Sequence, residues 1–296
     1  MLEFIMADFP LYAFLTTLAI LLGACIGSFL NVCIYRIPLE LSVVTPGSHC
    51  PACNTPIRWY HNIPILSYLL LRGRCAYCRS PFSARYCLVE TLGALLFLLV
   101  WLKFDLEGLT RPYALVPISD WKLVPVYWLV VMGLVLGTFV DFDHMIIPDR
   151  VTIGGMVAGV ACSFAVPSLH GETSHAQGLL TGLLGLAVGF GSLWTVALVG
   201  KLVFRKDAMG FGDVKLMGAI GAFFGWQAVL FTIMVSSLAG SIVGVTLILG
   251  GRKQLQSRIP FGPYLALAAM LWMLWGSSWW AWYIGFLLQR APAAAY

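Results

Sequence analysis

Two sets of side chains in this sequence could do chemistry. The first is a pair of acids. Asp213 closes the run Gly210-Phe211-Gly212-Asp213 and leads through Val214-Lys215-Leu216-Met217 into a long apolar stretch. Asp141 lies 72 positions earlier, at the end of another apolar stretch, in Val140-Asp141-Phe142-Asp143. Two carboxylates that share a site resist ionising together, so one stays a base while the other stays an acid. The base activates a water and the acid protonates a scissile carbonyl oxygen, which together hydrolyse a peptide bond. Gly210 and Gly212 allow a tight turn and close approach of an extended chain. With Lys215 they form the expected active-site loop around Asp213. Asp213 also reads as a plain helix cap, a position where Asp is favoured. Asp143 would point about 200° away from Asp141 on a helix, so only one of them can face a given partner. Asp141, the deeper of the two, is the choice.

The second set is Cys50, Cys53, Cys75 and Cys78, in the arrangement C-x2-C-x21-C-x2-C. Each C-x2-C lets two thiolates grip one ion from a tight turn, and two such turns complete a tetrahedral site. Two disulfides or a redox dithiol also fit the residues, but a reducing compartment argues against structural disulfides. Zinc is the expected metal. Four protein ligands leave no open position, so its role would be structural. A segment of about 50 residues has little core of its own, and a metal would staple it. The other cysteines, Cys25, Cys33, Cys87 and Cys162, read as small apolar packing residues.

The elements that must position these groups are membrane helices. The 296 residues are 60% hydrophobic and 10% charged, where a soluble domain carries about 25% charged. Apolar stretches near 11–34, 86–103, 124–142, 151–168, 177–203, 214–225, 227–250 and 262–288 suggest about eight spans, the sixth being short. The fold class is therefore an all-α polytopic membrane protein with a small zinc-bound cytoplasmic domain at 35–85. That domain lies between a first helix in 1–34 and a second helix with its external loop in 86–123. A membrane domain in 124–296 carries both acids. The first basic residue is Arg36, which follows the first span, so no cleavable signal is read and the N-terminus is placed outside. Alternating from there puts 14 of the 18 Lys and Arg inside, both termini outside, and Asp141 and Asp213 both at cytoplasmic helix ends. The net charge of +5 is thus a topology signal, and no nucleic-acid partner is inferred from it.

Other polar residues have plainer readings. Asn31, beside Gly27-Ser28, is expected to make an interhelical hydrogen bond. Glu90 lies about one turn inside an apolar helix, which makes it either a functional acid or an interfacial residue paired with Arg85 or Arg36. Asp149, after Pro148, is expected as the N-cap of the next helix. His144 reads as interfacial, and His170, Glu172 and His175 as solvated loop residues. Glycines from Gly154 to Gly191 suggest tight helix packing. Two prolines and a glycine in Pro260-Phe261-Gly262-Pro263-Tyr264 fix a bend.

Five of these stretches in this order resemble the type IV prepilin peptidases, aspartyl proteases of the bacterial inner membrane. They are Gly27-Ser28-Phe29-Leu30-Asn31, the paired cysteine motifs, Asp141-x-Asp143 ending in Ile147-Pro148-Asp149, Met209-Gly210-Phe211-Gly212-Asp213-x-Lys215-Leu216, and Pro260-Phe261-Gly262-Pro263-Tyr264. The resemblance implies that Asp141 and Asp213 are the catalytic pair. It implies cleavage of the short basic leader of prepilins or pseudopilins after a glycine, on the cytoplasmic side. It further implies methylation of the new N-terminal amine with S-adenosylmethionine. A basic leader calls for acids to receive it, which makes the intramembrane Glu90 a candidate for substrate handling or methyl transfer. Presenilin-like proteases share Gly-x-Gly-Asp but lack the cysteine domain. Two other classes fit some of these features: a proton-coupled membrane transporter, whose acids should sit near mid-bilayer, and an inactive zinc scaffold. A zinc protease is disfavoured because no His-Glu-x-x-His occurs.

Overall fold

The computed structural model describes residues 2–104, 121–205, 209–250 and 260–290. Most of the loop expected at 104–123, together with Lys206, Arg252, Lys253, Arg258 and Ile259, lies outside them. The described chain is helical: α1 Leu2–Arg36, α2 Leu66–Leu70, α3 Ala84–Phe104, α4 Leu123–His144, α5 Asp149–Ala165, α6 His175–Phe204, α7 Phe211–Leu249 and α8 Gly262–Arg290. Short 3-10 turns lie at Trp59–His61 and Pro167–His170. Strand-like pairing among the described residues is limited to the isolated bridges His49–Pro56 and Arg74–Pro81.

Five described helices, α1, α3, α4, α6 and α7, are long and apolar enough to cross a membrane. The expectation of eight spans differs in how α5, α7 and α8 count. α5 has only 17 residues, and α8, 29 residues long, is not among the five. α7 runs for 39 residues, or about 58 Å at 1.5 Å per residue, nearly twice a hydrocarbon core. It is broken inside by Gly225, whose φ of 79° and ψ of 176° no helix contains. That break falls at the boundary expected between 214–225 and 227–250.

The chain forms two compact units, Met1–Leu136 and Gly137–Tyr296. In the first, α1 and α3 cross closely. A Cβ at Gly23 would lie 2.6 Å from the Gly93 carbonyl oxygen, and one at Gly27 would lie 2.7 Å from Glu90 Cα. The crossing is sealed by polar bonds typical of apolar surroundings. The Asn31 amide donates to the Tyr86 carbonyl at 3.0 Å, and Trp101 Nε1 donates to Thr16 Oγ1 at 2.9 Å. Trp128 of α4 stacks on Phe97 at 5.0 Å and donates to its carbonyl.

In the second unit α6 lies against α7 along small residues. A side chain at Gly185 would run into the Gly221 carbonyl, and one at Gly189 into the Met217 carbonyl. The backbones meet at that distance because neither helix presents a Cβ there. α5 joins the same group: its Ser163 hydroxyl, fully buried, reaches the Ala222 carbonyl at 3.0 Å. Helix ends are set by local geometry. Met145, at φ 55°, stops α4 after His144, and Arg205, at φ 53°, stops α6.

Candidate active site and metal centre

The second unit gathers the acid motifs around Ile147. Asp141 lies in the last turn of α4 and is buried, 5% exposed, while Asp143 two residues on is exposed. The Asp141 carboxylate accepts the Gly262 N–H at 3.0 Å. Gly262 opens α8, where the first amides have no intrahelical acceptor and can serve an outside carboxylate. Pro263 follows directly and brings no N–H of its own. A Cβ at Gly262 would lie 2.7 Å from Asp141 Oδ2 and 3.1 Å from Ile147 Cδ1, so only glycine fits this approach.

Asp213 stands at the third position of α7, with Gly210 as the N-cap, and is 8% exposed. Its backbone N–H donates to the Gly210 carbonyl at 3.1 Å. Its carboxylate is in turn a partner of the Gly210 backbone amide, which is the return half of a capping box; glycine has no side chain to supply the other half. Asp213 is thus not the N-cap itself, although it does serve the helix start. Gly212 rests on Ile147, where a Cβ would lie 3.3 Å from the Ile147 Cβ. Through Gly262, Ile147 and Gly212, the two acids come near enough that the charge of Asp141 acts on Asp213. Both therefore sit in one buried, polar spot at helix ends.

Lys215 reaches across to Asp149 at 2.6 Å and lies 5.3 Å from the centre of the Phe211 ring. The ammonium holds the Asp149 carboxyl below the usual carboxylate range. The expectation for Asp149 needs a correction by one residue. Pro148, in extended backbone, is the N-cap of α5 and Asp149 is its first residue. Its carboxylate serves Lys215 and the Thr152 hydroxyl instead of capping. This ties the start of α5 to the start of α7. His170 also differs from its reading as a solvated loop residue. It is half-buried, its Nε2 lies 2.8 Å from Ser163 Oγ, and burial pushes its imidazole down to about 4. Gly262 and Ile147 were not recognised from sequence as neighbours of the two acids. The one signal was the Pro-x-Gly-Pro run, legible as a bend but silent about its partner.

In the first unit the four cysteines form twin knuckles. In each, the first cysteine's carbonyl receives the N–H of the fourth residue on, Asn54 or Arg79, and its own N–H goes to the next carbonyl, of Thr55 or Ser80. Asn54 and Arg79 hold matching left-handed conformations, φ 55° and 59°. The four Sγ atoms lie within 4.8 Å of one another, and Cys50 and Cys78 are 3.8 Å apart. Sulfurs about 2.3 Å from a shared tetrahedral ion would be about 3.8 Å apart, so this set could hold one metal ion. None of the four is in a disulfide. The Thr55 hydroxyl, 3.3 Å from Cys53 Sγ, and the Thr55 backbone lower that thiol to about 6. Backbone amides of Cys78 and Tyr77 also lower Cys75. Both shifts favour the thiolate that a metal needs, while burial and the three neighbouring thiols push Cys78 up to about 11.

Glu90 is buried in α3, and its Oε2 accepts the Ile65 N–H at 2.7 Å, with the Ser28 side chain as a second partner. Ile65 has φ 63°, an unfavourable conformation for a β-branched residue, and this bond holds it. Glu90 thus fastens the segment just before α2 to a long apolar helix.

Residues 21–104 match the bacterial peptidase A24 N-terminal domain, and residues 128–245 match the type IV leader peptidase family. The chain is similar to the prepilin leader peptidase/N-methyltransferase of Aeromonas hydrophila, 37% identical over 292 residues that cover 90% of this chain and 93% of the relative. Proteins of the same description from Pseudomonas putida and Pseudomonas aeruginosa are 35% and 34% identical, covering 90% and 92% of this chain and 92% and 94% of theirs. No solved structure matches.

Proposed function

Because the chain belongs to the type IV leader peptidase family, we propose that it removes the short basic leader of prepilins or pseudopilins after a glycine, at the cytoplasmic face of the bacterial inner membrane. The observation that carries this reading is the convergence of Asp141 and Asp213, two buried acids 72 positions apart, at neighbouring helix ends. In the proposed mechanism the two carboxylates share one proton. The ionised one takes a proton from water as the water attacks the scissile carbonyl carbon. The protonated one donates to the carbonyl oxygen. The tetrahedral intermediate collapses, the C–N bond breaks, and the leaving amine takes a proton from the pair. Gly262, whose N–H bonds Asp141, positions that carboxylate. Gly210, Gly212 and Lys215 form the loop around Asp213.

Peptide hydrolysis needs an extended segment, because a helical peptide bond hides its carbonyl from attack. The substrate's apolar helix would enter from the lipid, with its cleavage point at the membrane edge. We assign the domains as 1–34, a zinc-binding 35–85, 86–123 and a protease domain in 124–296. Eight spans result if α5 and α8 cross and if α7 counts as two helices broken at Gly225. The termini then face the periplasm. Cys50, Cys53, Cys75 and Cys78 would hold one structural zinc, leaving no open coordination position. S-adenosylmethionine would supply an electrophilic methyl group to the new N-terminal amine. No residue is assigned to hold it, and Glu90 is kept as a candidate in substrate handling. The experiment is purified protein with a prepilin and methyl-labelled S-adenosylmethionine. A gel shift and label on the shortened product support the reading; an uncut prepilin with folded enzyme contradicts it.

A further inference from the structure

The segment between α1 and α3 carries an unusual charge pattern. From Leu41 to Val89 there is no Asp or Glu, while Arg58, Arg72, Arg74, Arg79 and Arg85 are all present. A metal held by four thiolates would add a charge of about −2 for zinc and still leave the segment cationic. The same segment exposes large apolar side chains. Trp59 is 79% exposed, Leu69 62% and Leu70 73%. Arg58 precedes Trp59, and Arg72 and Arg74 follow the leucines, so basic residues flank each apolar group.

The depth of this surface follows from Glu90. Arg85 and Tyr86, at the start of α3, are residue types that mark a headgroup level. Glu90 lies about 6 Å further along the helix from Tyr86, toward the apolar side. Its carboxylate holds the Ile65 N–H at 2.7 Å, directly before α2. α2 is therefore moored beside a membrane-crossing helix and not suspended in water. The combination of exposed Trp and Leu, flanking Arg and no acid suits a surface that is apolar beneath and anionic above.

We propose that α2 and the Trp59 turn are an interfacial anchor that seats the four-cysteine domain on an anionic bilayer surface. Leu69, Leu70 and Trp59 lie among headgroups and upper acyl chains, and Arg58, Arg72 and Arg74 meet lipid phosphates. The proposal is independent of the peptidase reading.

The test uses the full chain in nanodiscs of phosphatidylglycerol or phosphatidylcholine containing brominated acyl chains. The Trp59 signal is the difference between wild type and Trp59→Phe. It should be quenched at least twofold by the brominated lipid in phosphatidylglycerol, and shielded there from aqueous acrylamide. A Trp59 signal open to acrylamide and untouched by brominated lipid overturns the proposal. In Leu69→Glu/Leu70→Glu, with metal content and helicity checked against wild type, quenching of Trp59 should be lost. Retained quenching removes α2 as the anchor. Tryptic cleavage at Arg72 and Arg74 of unaltered protein gives a measure that no substitution can confuse. Cleavage should be at least fivefold slower in phosphatidylglycerol than in phosphatidylcholine, and equal rates count against the proposal.

Discussion

Replacing Gly262 with alanine should damage catalysis while leaving the fold intact. The new Cβ would stand 2.7 Å from Asp141 Oδ2, a separation that real Cβ atoms essentially never show, so the carboxylate must withdraw by about half an ångström. Its other close neighbour is the flexible end of Ile147, which can yield. The 3.0 Å bond from the Gly262 N–H is then stretched or lost. A hydrogen bond to a charged group contributes about 1.5–3 kcal/mol. At about 1.4 kcal/mol per factor of ten, this is roughly 10- to 150-fold in rate. A displacement of this kind at a reacting group has a similar cost. The assay is steady-state cleavage of a purified prepilin by Gly262→Ala, with kcat and KM separated. The loss should lie in kcat. Gly154→Ala is the control, because a Cβ there meets nothing within 4 Å. A Gly262→Ala enzyme with wild-type kcat would refute the link between the α8 terminus and Asp141.

Other consequences are open to direct measurement. Lys215→Met should lower kcat by no more than about fivefold, since Asp149 is 64% exposed and such pairs contribute under about 1 kcal/mol. Lys215→Arg should restore the rate, and complete loss of cleavage in Lys215→Met would mean that Lys215 contacts substrate. Elemental analysis of reduced protein should find one zinc per chain, and Cys50→Ser or Cys75→Ser should lower it and expose 35–85 to protease before cleavage activity falls. His170 is held neutral by burial, down to about 4 from 6.5. Its neutral form therefore stabilises the fold fully above pH 6.5, and this is lost as pH falls toward 4. Tm should drop between pH 7 and pH 5 in wild type and drop less in His170→Gln; equal drops would remove His170 as the cause.

Much of this arrangement could be read in advance, because helical period and apolar length are local properties. That Asp141 and Asp143 face opposite ways follows from a 200° turn, and one side chain is buried and the other exposed. The interhelical role of Asn31 and the break near Gly225 were equally local. What was not legible depended on distant chain. No spacing rule joins Gly262 to an acid 121 positions away. Lys215 drew the Asp149 carboxylate from the capping role that its position after Pro148 suggested. Glu90 was expected to be a functional acid or the partner of an arginine. Its bond to the Ile65 backbone depends on a left-handed residue that no propensity favours. The span number was obscured by Gly225, which divides α7 without ending it, and by α5, too short to be decided by length.

The most direct test of the account is the rate of prepilin cleavage by Asp141→Asn, Asp213→Asn and Asp143→Asn, each purified and shown to retain helicity and bound metal. Each of the first two should fall by about 10³-fold or more, since either removes a proton-transfer group. Asp143→Asn should stay within about tenfold of wild type. Substantial cleavage by Asp141→Asn or Asp213→Asn, or equal loss in Asp143→Asn, would contradict the assignment of the catalytic pair.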